Sequence, residues 1–250
     1  MTIRGTDYVA TIRAAIDRVS AAQGDRVARA ADLLAAALQA GGVIQAFGCG
    51  HSEALAMEIA GRAGGLVPTN RIALRDIVLY GGAPASALSD RDLEGTPSVA
   101  RRLYDLADVK PDDTFVVASN SGVNGAVVEM AHLVKQHGHG LVAITSVEHS
   151  SRVASRHPSG RRLGDLADVV LDNGAPYGDA ALPLPGGGAV GAISSITAAL
   201  LAQQIVVEVV ARLLAAGTTP PVYLSDNVPG GREHNAALEA RYAGRIRRTA

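Results

Sequence analysis

Two short turns hold the residues best suited to chemistry. Ser119-Asn120-Ser121-Gly122-Val123-Asn124 sets three short polar side chains and a glycine ahead of a helix, with two hydroxyls one residue apart. Such a turn can surround a phosphate with neutral donors plus the positive end of the helix dipole, without a lysine. Gly48-Cys49-Gly50-His51-Ser52 is the second turn. Its glycines at 48 and 50 let the backbone approach a ligand, and Ser52 can cap the following helix and present a hydroxyl. A dinucleotide fingerprint would want a third glycine where Glu53 stands, and a glutamate repels a pyrophosphate. Cys49 is the only cysteine, which removes disulfides and multi-cysteine metal sites; without a visible general base it reads as a small buried thiol. His51 lies in the first turn, His149 and His157 in a later loop, and His234 within Gly231-Arg232-Glu233-His234-Asn235. None has the i,i+4 or Cys-paired spacing of a structural zinc site, so neither metal nor cofactor is expected.

The elements that must position these turns follow from periodicity. Val9, Ile12, Ile16 and Val19 predict one amphipathic helix, and a second from about Asp25 to Ala40 stops at Gly41-Gly42. Val43–Phe47 predicts a buried strand leading into the first turn, followed by a helix over Glu53–Ala63. The unit recurs: strand Thr114–Ala118, turn Ser119–Asn124, helix Gly125–His137. Leu141–Ile144 and Ala167–Leu171 supply two further short strands. Strands alternating with helices imply an α/β fold whose parallel sheet is covered on both faces. Ligands then bind beyond the carboxyl ends of the strands, where both turns lie. Tyr80–Pro97 and Glu148–Gly164 have no clear period and read as long loops near function.

Of 250 residues 48% are apolar and 19% charged, a globular balance, and a net charge of −1 argues against a nucleic-acid partner. The C-terminal cluster Arg241, Arg245, Arg247 and Arg248 reads as a solvated helix end. Ile193–Leu214 is the most apolar stretch, but Gln203, Gln204 and Glu208 interrupt it, so it predicts a buried helix and no membrane span. Met1–Ser20 lacks the apolar run of a signal peptide, and cytoplasmic placement is expected. Because that late helix is apolar nearly all round, a homodimer or homotetramer is expected.

The phrases Phe47-Gly48-Cys49-Gly50-His51-Ser52, Arg62-Ala63-Gly64-Gly65-Leu66, Ser119-x-Ser121-Gly122 and Asn227 through Asn235 resemble the SIS (sugar isomerase) superfamily of phosphosugar isomerases and phosphosugar-binding proteins. The chain is most similar to an uncharacterised SIS-domain group related to phosphoheptose isomerases. The resemblance implies a three-layer αβα fold with a five-stranded parallel sheet, here one SIS domain over residues 1–250 with a helical extension (about 1–42) and a C-terminal tail (about 217–250). It implies a sugar phosphate, or a sugar with another anion, as the small-molecule partner. Ser52, Ser119, Ser121 and Asn124 are the ligand contacts it carries over, and Gly50, Asn120 and Gly122 of the same two turns complete the expected substrate-binding set. Aldose–ketose isomerisation needs a base between C1 and C2 and an acid/base for ring opening. Glu58 on the helix after the first turn and Glu94 at the end of the 80–97 loop are the candidate bases, and His51 and His234 the candidate histidines. Glu58 also reads as an i,i+4 ion pair with Arg62. Phosphoheptose isomerases use a histidine from their final long helix; this chain has none there, only Gln203 and Gln204 as inward polar candidates. A non-catalytic phosphosugar sensor, and a lyase or etherase on an amino-sugar phosphate, therefore stand as alternatives.

Overall fold

A computed structural model describes residues 3–90 and 92–248. The outermost residues of the expected extension and tail, 1–2 and 249–250, lie outside it. In chain order the elements are α1 (Gly5–Gln39), β1 (Ile44–Gly48), α2 (Glu53–Ile59), β2 (Thr69–Ile72), α3 (Asp76–Leu79), α4 (Pro97–Leu106), β3 (Thr114–Ala118), α5 (Gly125–Gln136), β4 (Gly140–Thr145), α6 (Val147–Arg152), β5 (Val169–Asp172), β6 (Ala180–Pro183), β7 (Ala189–Ala192), α7 (Ser194–Ala215) and α8 (Gly231–Ala240). The five-stranded sheet runs β2-β1-β3-β4-β5, all parallel.

Side chains alternate between the two faces of each strand, and both faces are buried. Val116 and Ala118 join Ile44 and Ala46 in a core with Leu34 of α1, Leu55 of α2 and Ile205 and Val209 of α7. Phe115 and Val117 join Phe47 and Leu141 on the opposite face, against Leu103 of α4 and Met130 and Val134 of α5. The chain thus forms three layers, αβα. The long apolar helix α7 is one side of this core: Leu201, Ile205 and Val209 are buried, and its Arg212 bonds Asp32 of α1 at 2.5 Å.

Three expectations are corrected and one unread element is added. The two N-terminal helices are one continuous helix, because buried Ile12, Ala15, Val19, Gln23, Val27, Ala30 and Leu34 form an unbroken stripe. Burial along it outweighs the roughly 1 kcal/mol that Gly24 costs in a helix. α2 ends at Ile59 rather than Ala63, since Ala60 is extended and Gly61 takes φ +78°. The β6–β7 hairpin, Ala180–Pro183 against Ala189–Ala192, stands ahead of α7 in a stretch where the sequence pattern named no element. Finally, the basic tail is not a solvated helix end. Arg245 bonds buried Asp113 at 2.5 Å, Arg248 donates to the Val67 and Thr69 carbonyls, and Arg247 lies 4.6 Å over the Tyr80 ring.

Candidate functional site

β1 leads to β2 on one side, whereas β3 leads to β4 and β5 on the other. The order of strands therefore reverses between β1 and β3, which opens a crevice at their carboxyl ends. Gly48 pairs with Ala118, so the two glycine- and serine-bearing turns leave the sheet side by side. A cavity of about 400 Å³ lies there, within the range of small-molecule sites.

Each turn is shaped by a backbone requirement. A Cβ on Gly48 would meet the Ser52 carbonyl oxygen at 2.3 Å, so only glycine lets this turn close. Gly122 takes φ +64°, and its N–H donates to Ser119 Oγ at 3.1 Å, tying the second turn shut. The Ser119 hydroxyl hydrogen is left for a ligand. Ser121 Oγ and Ser52 Oγ make no hydrogen bond among the described residues. Asn124 lines the cavity and occupies the N-cap of α5 without a capping side-chain bond, so its side chain leaves the first N–H groups of this 12-residue helix uncapped. Arg156 Nη1 approaches Asn124 Oδ1 at 3.4 Å, and Asn173 Nδ2 donates to Asn120 Oδ1 at 3.1 Å.

Two carboxylates reach the same cavity by different routes. Glu58 comes from α2, where Gln203 Nε2 of α7 donates to its Oε1 at 2.7 Å and Arg62 pairs with the same oxygen. Glu94 arrives from the 80–97 segment, folded into short 3₁₀ turns. That segment is held because a Cβ on Gly125 would meet the Gly95 carbonyl oxygen at 2.1 Å; only glycine at the head of α5 permits this approach. Glu94 Oε2 lies 3.4 Å from where a Cβ of Gly50 would stand. Burial, then the carboxylates of Glu94 and Glu53, push the Cys49 thiol from 9.0 up to about 12, which keeps it protonated and removes it as a nucleophile.

Residues 7–146 match the SIS domain. A UPF0309 protein of Listeria monocytogenes is 40% identical over 243 residues, covering 97% of this chain and 98% of the relative. The chain is a SIS-domain protein of the UPF0309 family. Its SIS fold is similar to that of the phosphoheptose isomerase GmhA of Neisseria gonorrhoeae, with a TM-score of 0.54 at 20% identity over 82% of this chain and 96% of that one. The NanR protein of Vibrio vulnificus, complexed with ManNAc-6P, superposes with a TM-score of 0.50 at 15% identity over 96% of this chain and 68% of that one. At such identities the likeness is one of fold.

In this SIS domain, Gly50, His51, Ser52, Glu58, Glu94, Ser119, Asn120, Ser121 and Asn124 all line one cavity. Gly122 does not line it; its place is structural, with Thr145 Oγ1 and Ser150 Oγ 3.2 and 3.3 Å from where a Cβ would stand. Ser52 does not cap α2, since its backbone is helical and its side chain accepts nothing. His234 is elsewhere in this chain: its Nε2 meets the Val222 carbonyl oxygen at 3.0 Å on α8, away from the crevice. Sequence reasoning missed Asn173, Asp179, Ser194 and Ser195, which also line the cavity. Asp179 sits just ahead of the unrecognised hairpin, so nothing in its local pattern pointed to the sheet edge. His149 was visible only as one histidine in a stretch expected to be an irregular loop; that stretch begins with α6, whose first turn places His149 in the crevice.

Proposed function

We propose that this protein binds a phosphorylated sugar in the crevice and interconverts its aldose and ketose forms. The observation that carries this reading is the pairing of an uncapped α5 N-terminus and free Ser121 hydroxyl with two carboxylates, Glu58 and Glu94, in one cavity. Ser119 and Ser121 hydroxyls and the first N–H groups of α5 hold the phosphate, with Arg156 close to the turn. No lysine or arginine lines the cavity among the described residues, so recognition rests on neutral donors and the helix dipole. Glu58 is the first choice as base for the proton moving between C1 and C2, because Gln203 fixes its orientation. A cytoplasmic setting and a homodimer or homotetramer belong to this reading, the former because phosphorylated sugars do not cross membranes unaided.

The test is incubation with aldose phosphates of five to seven carbons in D2O. Deuterium entering at C2 of one of them supports isomerisation, and no exchange with any of them removes it. Glu58→Gln is expected to abolish exchange while leaving binding in place; if Glu94→Gln does so instead, Glu94 is the base. One observation favours a second reading, a phosphosugar sensor. α7 presents Ser194, Ser195, Ala198 and Ala199 to the cavity and no titratable group. Calorimetric binding of a sugar phosphate with no exchange would select the sensor.

A further inference from the structure

His149 lies in the first turn of α6, just past the carboxyl end of β4. Its backbone N–H donates to Ser146 Oγ at 3.0 Å, which fixes where that turn starts. Its ring stacks on Tyr177, with centroids 5.2 Å apart and planes 28° apart. The N–H of Gly178 donates to its Nδ1 at 3.0 Å. The next residue, Asp179, is held in the left-handed region at φ +69°. Its carboxylate accepts from the Ile193 and Ser194 N–H groups at 3.1 and 2.8 Å and from Ser194 Oγ at 2.7 Å. These bonds sustain a conformation that is uncommon for a residue other than glycine. The segment 177–179 is thus fastened to the head of α7 and in turn fixes the ring of His149.

A ring nitrogen that accepts from a backbone N–H carries no proton of its own. With Nδ1 so engaged, the neutral ring has its hydrogen on Nε2. A second proton would place Nδ1–H against the Gly178 N–H. The ring is therefore built to donate one hydrogen bond, not to shuttle a proton. We propose that His149 is a catalytic residue that uses this Nε2–H to polarise the carbonyl oxygen of the open-chain sugar, as a neutral hydrogen-bond donor. The proposal rests on the phosphosugar reading above and deepens it. Stabilising charge that builds on that oxygen as Glu58 removes the neighbouring proton is the kind of interaction a fixed donor supplies without reorganisation. No bond to His149 forms or breaks in this role.

The test uses the whole protein with 15N-labelled histidine. The His149 spectrum is expected to show the ring hydrogen on Nε2, with Nδ1 as the acceptor. The Nδ1–H form, or the imidazolium, would overturn the proposal whether or not any sugar binds. Fructose 6-phosphate is then titrated in, with inorganic phosphate as the comparison. The sugar phosphate should move the His149 Nε2–H signal, whereas inorganic phosphate should move only the Ser119–Asn124 amides. If fructose 6-phosphate moves those amides and leaves His149 untouched, His149 has no role at the sugar. If neither it nor any aldose phosphate of five to seven carbons moves either set of signals, the phosphosugar reading itself fails, and this proposal with it. His149→Gln, which can still donate from its side-chain amide, should keep fructose 6-phosphate affinity within about threefold, while His149→Ala should lose about tenfold. Equal loss in both variants would count against a donor role.

Discussion

Ser121 is the clearest single contact, because its hydroxyl is free among the described residues and stands beside the uncapped start of α5. A hydrogen bond to a charged group contributes about 1.5–3 kcal/mol, so Ser121→Ala should weaken sugar-phosphate binding by roughly 10- to 100-fold with little change in stability. Isothermal titration calorimetry reads this directly, and an unchanged affinity would remove Ser121 from the site. Cys49 makes a prediction in the opposite direction. Its folded thiol ionises near 12 against an ordinary 9.0, so between those values the unfolded chain releases a proton that the native protein retains. Its contribution to stability is therefore complete below about pH 9 and is lost as pH rises toward 12. Urea denaturation across this window should show a steeper fall for the natural protein than for Cys49→Ala. Parallel curves would mean that the thiol ionises freely in the fold.

At the scale of elements, the site depends on close backbone approaches. The first residue of α5 touches the Gly95 carbonyl, and this contact carries Glu94 to the crevice. Gly125→Ala would force a Cβ to within 2.1 Å of that oxygen, so the 92–96 turn must move. The expected result is a loss of about 1–3 kcal/mol in stability, as for overpacked sites, together with weakened binding at the crevice. Urea midpoints paired with calorimetry measure both; retention of both would show that Glu94 is placed by something else. The tail makes a second such contact. Asp113 accepts from the Val43 N–H at 2.8 Å, from Gln45 Nε2 at 3.0 Å and from Lys110 N–H at 3.1 Å, and Arg245 completes the set. Removing one partner of a buried ion pair costs about 3–5 kcal/mol, and the three remaining donors should hold the loss for Arg245→Ala at the lower end. A change below about 0.5 kcal/mol would mean the tail is only loosely attached.

For the whole molecule, α7 separates two surfaces. One faces α1, α2 and the sheet, while Ile196, Val207 and Leu214 remain 40, 64 and 60% exposed along the other. Their spacing places them on a common stripe that runs the length of the helix and starts at the crevice. An apolar stripe of this length suits a second copy of the chain, so light scattering at micromolar concentration should give at least a dimer. Val207→Glu combined with Leu214→Glu should shift it to monomer; a natural protein that is already monomeric would refute the interface.

The order of strand, turn and helix was readable from the chain without its fold. Val43–Phe47 and Thr114–Ala118 are short apolar runs closed by glycine- and serine-bearing turns, and local pattern implies that both turns lie at one sheet edge. Ser119–Asn124 was legible for the same reason, since its chemistry is contained in six consecutive residues. Local pattern failed where distant packing decides. The buried stripe through Gln23 and Val27 overrode Gly24 and made one helix of two, with Gln23 Oε1 accepting from the Asp172 N–H at 3.1 Å. Pro183, Pro185 and Gly186–Gly188 concealed the hairpin, because those residues break strand patterns while leaving cross-strand pairing possible. It took the folded chain to place Glu94 against Gly50, to remove His234 from this chain's crevice and to set the Nδ1 of His149 on Gly178. Each depends on contacts between segments far apart in the chain, and such contacts leave no local period to read.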